Sequence, residues 1–216
     1  MSVFIPPLND LEKQAKTHAI LMTTGFLILL PLGVLGARYA RTYNDRWFTA
    51  HWFIQLVVSA PVIFVGWSKG YDTTETLGLG HFIDPHEKMG LTLLILYVIQ
   101  LVFGMVIHFV KCPTLFRGHR PPQNYFHVFL GLVILVIAAS QVHYGLYIEW
   151  DLALGGAHHV PDSAKHAWLA LIIVFWVLYF LGLNLVPRQY KKEKIAREDG
   201  QRDHIALRGS PDKAQA

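Results

Sequence analysis

Cysteine and charge are both scarce in this 216-residue sequence. Cys112 is the only cysteine, which excludes a disulfide framework or a cysteine-based metal site within one chain. Charged residues make up 16% of the chain and hydrophobic residues 53%, whereas soluble domains usually contain about 25% charged residues. A soluble globular domain is therefore excluded. Histidine is abundant by contrast, with 12 residues, and neutral imidazole is a common ligand of metals and of heme iron.

The apolar residues fall into five blocks that contain no Asp, Glu, Lys or Arg. Each block has 21 to 28 residues, and about 20 are needed to cross a hydrocarbon core of roughly 30 Å. We therefore predict an all-α integral membrane protein with five transmembrane helices, numbered in chain order: 17–37, 47–68, 89–110, 121–148 and 166–187. Pro31 and Pro61 should kink their helices without breaking them, and Pro187 should end helix 5.

Basic residues are distributed unevenly between the two sides of the predicted bundle. The side that holds the amino terminus, here called the N side, has five, whereas the opposite C side has fourteen. By the positive-inside rule the C side is cytoplasmic. The predicted domains are an extracytoplasmic segment, 1–16, a membrane domain, 17–187, and a basic, disordered cytoplasmic tail, 188–216. Such a tail attracts anionic membrane lipid, and no nucleic-acid partner is expected.

Four histidines lie near the amino-terminal ends of the first four predicted helices: His18, His51, His86 and His127. Because successive helices alternate in direction, His18 and His86 fall on the N side, and His51 and His127 fall on the C side. One imidazole above and one below a porphyrin iron is the bis-histidine ligation of a b-type heme. We predict that helices 1 to 4 form a bundle that binds two b hemes through these pairs, with helix 5 peripheral.

Small or polar residues accompany these histidines at helical spacing. Gly90 and Gly131 lie four residues after the histidines of helices 3 and 4, and Gly25 lies seven residues after that of helix 1. A small side chain there would leave room for a flat macrocycle, although glycines also let membrane helices pack closely. Gln55 follows the histidine of helix 2 by four residues and faces either the heme or another helix.

A rival set of ligands would pair His86 with His143 and His108 with His127. His86 and His108 are 22 residues apart, about 33 Å along an ideal helix, so both would lie at the membrane surfaces. His127 and His143 are 16 residues apart, which leaves them roughly 160° apart around the helix. The four-helix set is therefore favoured, and His108 and His143 are expected to be interfacial or hydrogen-bonding residues.

Four segments carry the favoured histidines in a characteristic order: 17–22 (THAILM), 46–55 (RWFTAHWFIQ), 86–90 (HEKMG) and 120–131 (RPPQNYFHVFLG). Together with the histidine spacing of 33, 35 and 41 residues, they resemble the eukaryotic cytochrome b561 domain, which is often attached to an extracellular DOMON domain. The resemblance extends from about Lys16 to Pro187.

The resemblance implies two heme b groups and electron transfer across the membrane. In the family the donor is cytoplasmic, commonly ascorbate, and the acceptor outside is typically monodehydroascorbate or a ferric chelate. Basic residues near the cytoplasmic heme hold ascorbate, and Arg46 occupies the matching position, with Arg117 and Arg120 in the other cytoplasmic loop. Arginine offers a fixed fork of donors to an anion, although these arginines also suit positive-inside anchoring.

Two features depart from the family pattern. The family core often has a sixth helix, whereas five are predicted here, and no DOMON domain precedes helix 1. We therefore expect a stand-alone or truncated form. The protein partners considered are an extracellular redox partner, of DOMON type or another, and a second copy of the chain in a homodimer.

Two other functions remain as alternatives. A heme-bearing membrane anchor subunit would pass electrons between a bound dehydrogenase and quinone. A metal scaffold or transporter would gather metal with the external histidines His81, His158 and His159. The second alternative does not explain why the histidines of the spans alternate so regularly between the two sides.

Overall fold

The computed structural model describes residues 6–109 and 121–209, and these residues form helices without any strand. Five of the helices are long and apolar enough to cross a membrane: α1, Asp10–Ala40; α2, Trp47–Leu77; α3, Pro85–Phe109; α4, Pro122–Leu154; and α5, which begins at Asp162. The prediction of an all-α multi-pass membrane protein with five spans is therefore confirmed.

The helices are longer than the charge-free blocks because polar residues extend both ends. α1 begins seven residues before Thr17, at a capping box in which Asn9 and Glu12 exchange side-chain and backbone hydrogen bonds of 2.8 Å. α2 ends at Gly78, whose φ of 68° is favourable only for a residue without a Cβ. Polar helix ends of this kind suit the interfacial region of a bilayer, outside its hydrocarbon core.

Both interior prolines lie just after a widened, π-helical turn. These turns are Thr24–Leu29 before Pro31 and Phe53–Val58 before Pro61. Proline has no N–H and clashes with the carbonyl four residues before it, and a wider turn removes that conflict. The Ser59 hydroxyl also donates to the Ile54 carbonyl at 2.8 Å. Both helices continue through their prolines, as predicted.

The centre of the buried core lies where α1 to α4 meet. Phe26 and Ile63 are 1% and 0% exposed, and Leu93 and Ala138 are equally enclosed. α5 packs beside α1 and α4: the Arg38 guanidinium donates to the Tyr179 hydroxyl at 2.6 Å, and the Trp168 indole donates to the Ala139 carbonyl at 3.0 Å. Helix 5 therefore lies at the side of the bundle.

The carboxyl-terminal region differs from the sequence prediction. Asp162–Gly182 is followed by a 3₁₀ turn, Leu183–Leu185, and then by α6, Val186–Gly209. Pro187 does not end the helical path because it stands in the first turn of α6, where no intrahelical N–H is required.

The tail is helical as far as Gly209, whereas disorder was predicted from residue 188 onward. Its lysines, arginines and glutamates favour helix. Its first turns are also bonded to the end of α1 and the loop that follows, because Gln189 donates to the Arg38 carbonyl at 2.5 Å and Lys192 contacts Asp45 at 2.6 Å. Composition alone does not reveal such tertiary contacts.

Candidate functional site

His18 and His86 face each other on the N side of the bundle. Their ring centroids are 6.2 Å apart, with the ring planes at 76°. Metal–imidazole bonds are about 2 Å long, so two imidazoles on opposite sides of one metal ion have centroids about 6 Å apart. The observed separation would therefore allow both imidazoles to bind one iron ion.

A largely apolar cavity surrounds this pair. It has a volume of about 310 Å³ and is lined by His18, His86, Phe26, Trp67 and Leu93 among others. Sites for cofactors and small molecules typically have volumes of about 300–1,000 Å³ and mostly apolar walls with a few polar groups. The N-side pair thus lies in a space suited to an apolar, flat prosthetic group.

His51 and His127 lie at the other end of the bundle, near the amino-terminal ends of α2 and α4. The His127 ring lies against Gly104 of α3, where an added Cβ would be only 2.9 Å from Cε1. The two histidine pairs therefore lie at opposite ends of one four-helix group.

One histidine of each pair is oriented by a backbone carbonyl of the neighbouring helix. His18 Nδ1 is 2.8 Å from the Gly66 oxygen, and His51 Nδ1 is 2.9 Å from the Gly33 oxygen. Because a carbonyl can only accept, each Nδ1 must carry the proton that it donates. Nε2 then holds the free lone pair, which is the arrangement common to histidine metal ligands.

The other two histidines are partly unsatisfied within the described residues. The buried Nδ1 atoms of His86 and His127 have no hydrogen-bond partner there. Such atoms are rare in folded proteins and require an explanation, such as a functional role or an unseen ligand. The donor set of four neutral imidazoles in an apolar setting fits heme iron.

Two glutamines cross the interface between α3 and α4 to reach the ligand helices. The Gln141 amide donates to the His86 carbonyl at 2.6 Å, and the Gln100 amide donates to the His127 carbonyl at 2.7 Å. From the sequence, Gln100 was noted only as part of the family resemblance, and neither glutamine was assigned a role. Both helices nevertheless carry the same pattern, H-x3-G-x9-Q-x3-G, beginning at His86 and at His127. A search for internal repeats would have found it.

The glycines of this pattern make room for the opposite helix. An added Cβ on Gly90 would be 3.2 Å from Gln141 Nε2, and one on Gly131 would be 3.0 Å from Gln100 Nε2. Gly145 faces the His86 ring in the same way that Gly104 faces His127. Gly90 also lines the N-side cavity, so both roles predicted for it are compatible with the structure.

Gln55 and Gly25 serve contacts between α1 and α2. The Gln55 amide donates to the Leu30 carbonyl at 3.1 Å and its side chain fills the space beside Gly33. An added Cβ on Gly25 would be 2.5 Å from Cγ1 of Ile63. Of the two orientations left open for Gln55, the structure has the one toward another helix.

The rival ligands His108 and His143 take part in other contacts. The His108 ring stacks on Phe48 with centroids 3.5 Å apart, and the His143 ring stacks on Tyr147 and packs against Trp168 of α5. These contacts favour interfacial roles for both residues.

Each of the three histidines considered for metal gathering contacts a different carboxylate. His81 contacts Glu75 at 2.7 Å, His158 contacts Glu12 at 2.7 Å, and His159 contacts Asp151 at 3.1 Å. In the part of the chain that the structure describes, no group of three or more His, Cys, Asp or Glu residues could hold a metal ion. The arrangement gives no support to the metal-gathering alternative.

Of the three arginines predicted to hold ascorbate, the structure describes one. Arg46 is exposed at the start of α2, where its backbone N–H donates to Asn44 at 2.8 Å. It lies five residues before His51, on the C side. Arg117 and Arg120 lie outside the described residues.

Comparison with known proteins decides the family. The family model of eukaryotic cytochrome b561 matches residues 17–150. The chain belongs to this family. Membership implies b-type heme, a place in the membrane and a role in electron transport. The matched region contains all four histidines of the two pairs and both glutamines of the α3–α4 interface.

Curated proteins similar to this chain include cytochrome b561 and DOMON domain-containing proteins of Arabidopsis thaliana. One is 27% identical over 206 residues, covering 93% of this chain and 41% of the relative. Another is 28% identical over 171 residues, covering 77% and 38%. The chain thus spans about two fifths of the length of these relatives. No solved structure matches the chain.

Proposed function

We propose that this cytochrome b561 protein transfers electrons across the membrane through two b hemes, one held by His18 and His86 and the other by His51 and His127. The observation that carries the proposal is the placement of these pairs at opposite ends of one bundle, with His18 and His51 oriented by carbonyls of the neighbouring helix. Two such centres on opposite sides form an electron path through a hydrocarbon core.

The protein's own residues would bind the hemes, and they orient the imidazoles and exclude water from the middle of the bundle. When bound, heme supplies the one-electron chemistry. The imidazole Nε2 atoms would hold the heme iron, since Nδ1 of His18 and His51 is engaged with a backbone carbonyl. Between the two ends, Phe26, Leu93 and Tyr97 are at most 2% exposed and exclude water. No nucleophile or acid–base pair is needed for this reaction.

The proposed direction runs from the C side to the N side. The basic C side is cytoplasmic by the positive-inside rule, and the donor there is proposed to be ascorbate. Arg46, with Arg117 and Arg120, would hold the ascorbate monoanion, because guanidinium groups bind anions through several directed donors. Each ascorbate monoanion gives up one electron to the C-side centre and one proton to the water on that side, and it leaves as the monodehydroascorbate radical anion.

The acceptor on the N side is proposed to be monodehydroascorbate or a ferric chelate. One electron reduces ferric iron to ferrous iron, so donor and acceptor balance one to one. The names of the relatives include a DOMON domain, and an extracellular redox partner of this type is a further proposed acceptor.

A sidedness experiment tests the proposal. The purified chain is reconstituted with heme into liposomes that enclose ascorbate, and a ferric chelate is added outside. We expect reduced heme and external ferrous iron, both lost when ascorbate oxidase is enclosed together with ascorbate. A matched preparation of His127→Ala should retain one heme and lose transfer. Ferrous iron at equal rates from liposomes with and without the protein would contradict the proposal.

A further inference from the structure

The interface between α3 and α4 is built as a symmetric ladder with four contacts. In order along the interface, His86 faces Gly145, Gly90 faces Gln141, Gln100 faces Gly131 and Gly104 faces His127. Each large side chain meets a glycine of the antiparallel helix. The two ends of the ladder are therefore equivalent: one end holds His86, a proposed ligand of the N-side heme, and the other holds His127, a proposed ligand of the C-side heme.

The two glutamines donate to the carbonyls of the ligand residues themselves. A helical carbonyl already accepts a hydrogen bond from the N–H four residues later, and its second lone pair remains available. Gln141 uses that lone pair on His86 at 2.6 Å, and Gln100 uses it on His127 at 2.7 Å. The acceptor is a carbonyl, so the amide nitrogen must be the atom that faces it.

Each glutamine is unsatisfied at its other polar atom. The carbonyl oxygens of both side chains are buried and lack a hydrogen-bond partner among the described residues, and Gln141 is only 8% exposed. Burial of an unpaired amide oxygen is unfavourable. The glutamines therefore do not serve a saturated polar network, and the single bond that each makes is directed at a ligand residue.

We infer that Gln141 and Gln100 are positioning residues that fix the axial ligands His86 and His127 across the helix interface. The inference rests on the proposed heme ligation and deepens it. His18 and His51 are fixed through Nδ1, whereas the Nδ1 atoms of His86 and His127 have no partner in the described part of the chain. Each pair thus combines one ligand fixed through its ring with one fixed through its backbone.

The inference predicts a crossed effect of substitutions. Gln100 is on the helix of His86 but acts on His127, and Gln141 is on the helix of His127 but acts on His86. Gln141→Met should alter only the N-side heme, and Gln100→Met should alter only the C-side heme. Methionine keeps an unbranched, flexible side chain of similar length and removes the donor.

The test uses the heme-loaded chain and two readouts besides electron transfer. The low-spin electron paramagnetic resonance signal of each heme is assigned with His86→Ala and His127→Ala. The transfer of heme to excess apomyoglobin gives a loss rate for each site. We expect each glutamine variant to shift the signal of its own site and to raise heme loss there at least threefold, with the other site unchanged.

Trp168→Phe provides the matched control. It also removes a side-chain donor to a backbone carbonyl of α4, that of Ala139, but this residue is not a ligand, and neither heme signal should change. If one of the methionine variants fails to fold, Gln141→Leu or Gln100→Leu takes its place. Equal effects of either variant on both hemes, or no effect on either, would overturn the inference. A wild-type chain that binds no heme would instead overturn the proposed function itself.

Discussion

At the scale of single residues, the histidines differ in what holds them. His18 and His51 are fixed by carbonyl oxygens, while His108 stacks on Phe48. Axial ligation requires a ring held with Nε2 free, whereas aromatic stacking places no such demand on a ring. Substitution of single histidines can therefore distinguish the proposed heme ligands from histidines that only make packing contacts.

His51→Ala should remove the C-side heme and retain the N-side heme. The heme count per polypeptide should fall from two to one, and reduction by ascorbate should fall at least tenfold because the donor-side centre is lost. His108→Ala is the control and should keep both hemes. Heme extraction with pyridine and the reduced spectrum measure both quantities. Retention of two hemes in His51→Ala would show that His51 is not a ligand.

Gly70→Ala should weaken heme binding at the N side. An added Cβ there would be 2.6 Å from Nδ1 of His18, so the ring that donates to the Gly66 carbonyl would have to move. Gly36→Ala is a matched control in a helix, since nothing lies within 4 Å of its added Cβ. The heme content of both variants after purification provides the measurement. Equal heme content would place His18 outside the N-side site.

At the scale of helices and loops, the amino-terminal segment is attached through one histidine. His158, in the loop between α4 and α5, bonds to the Glu12 carboxylate at 2.7 Å and to the Pro6 carbonyl at 2.8 Å. Both partners are acceptors, so both ring nitrogens must donate, and the ring is an imidazolium. The hydrogen bond to Glu12 and that to Pro6 raise the pKa of His158.

The attachment should therefore weaken as pH rises. A raised pKa in the folded state gives stabilisation that is complete below about 6.5, the unfolded value, and is lost as pH rises through the folded value. Nuclear magnetic resonance titration of labelled histidines should give a midpoint for His158 above about 6.5. Glu12→Gln should lower that midpoint. An unchanged midpoint in Glu12→Gln would contradict the contact.

Much of the helical organisation could be predicted from the sequence, because the cost of charge in a bilayer is a local property of each segment. The five spans and the N-side and C-side placement of the four histidines follow from it. The π-helical turns before Pro31 and Pro61 and the helix after Pro187 could not, since they depend on neighbouring helices. The carbonyls of Gly66 and Gly33, which orient His18 and His51, could not be predicted for the same reason: the rotation and register of one helix against another are not encoded in one segment.

Gln100 and Gln141 are a different case. Their pattern is visible in the sequence as a repeat with an offset of 41 residues, the distance between His86 and His127. The repeat is short and lies within apolar helices of ordinary composition, so only comparison of one helix with another reveals it. The reason for the repeat, an antiparallel interface with equivalent ends, becomes clear from the packing of α3 on α4.

At the scale of the whole molecule, the proposed function requires one center at each end of the bundle. The described residues contain five candidate spans, and the basic residues of the sequence are concentrated on the C side. The same bundle therefore combines a proposed donor side rich in basic residues with a cavity of about 310 Å³ on the other side. Loss of either center would interrupt the path.

The proposed electron path through two hemes is tested most directly by the reduced-minus-oxidised spectrum of the purified chain, with heme counted per polypeptide. Ascorbate and dithionite are compared as reductants in the same sample. We predict two low-spin b hemes per chain, both reduced by dithionite and at least one by ascorbate. Two hemes reduced only by dithionite would contradict ascorbate as donor. A folded chain without heme would contradict the histidine pairing.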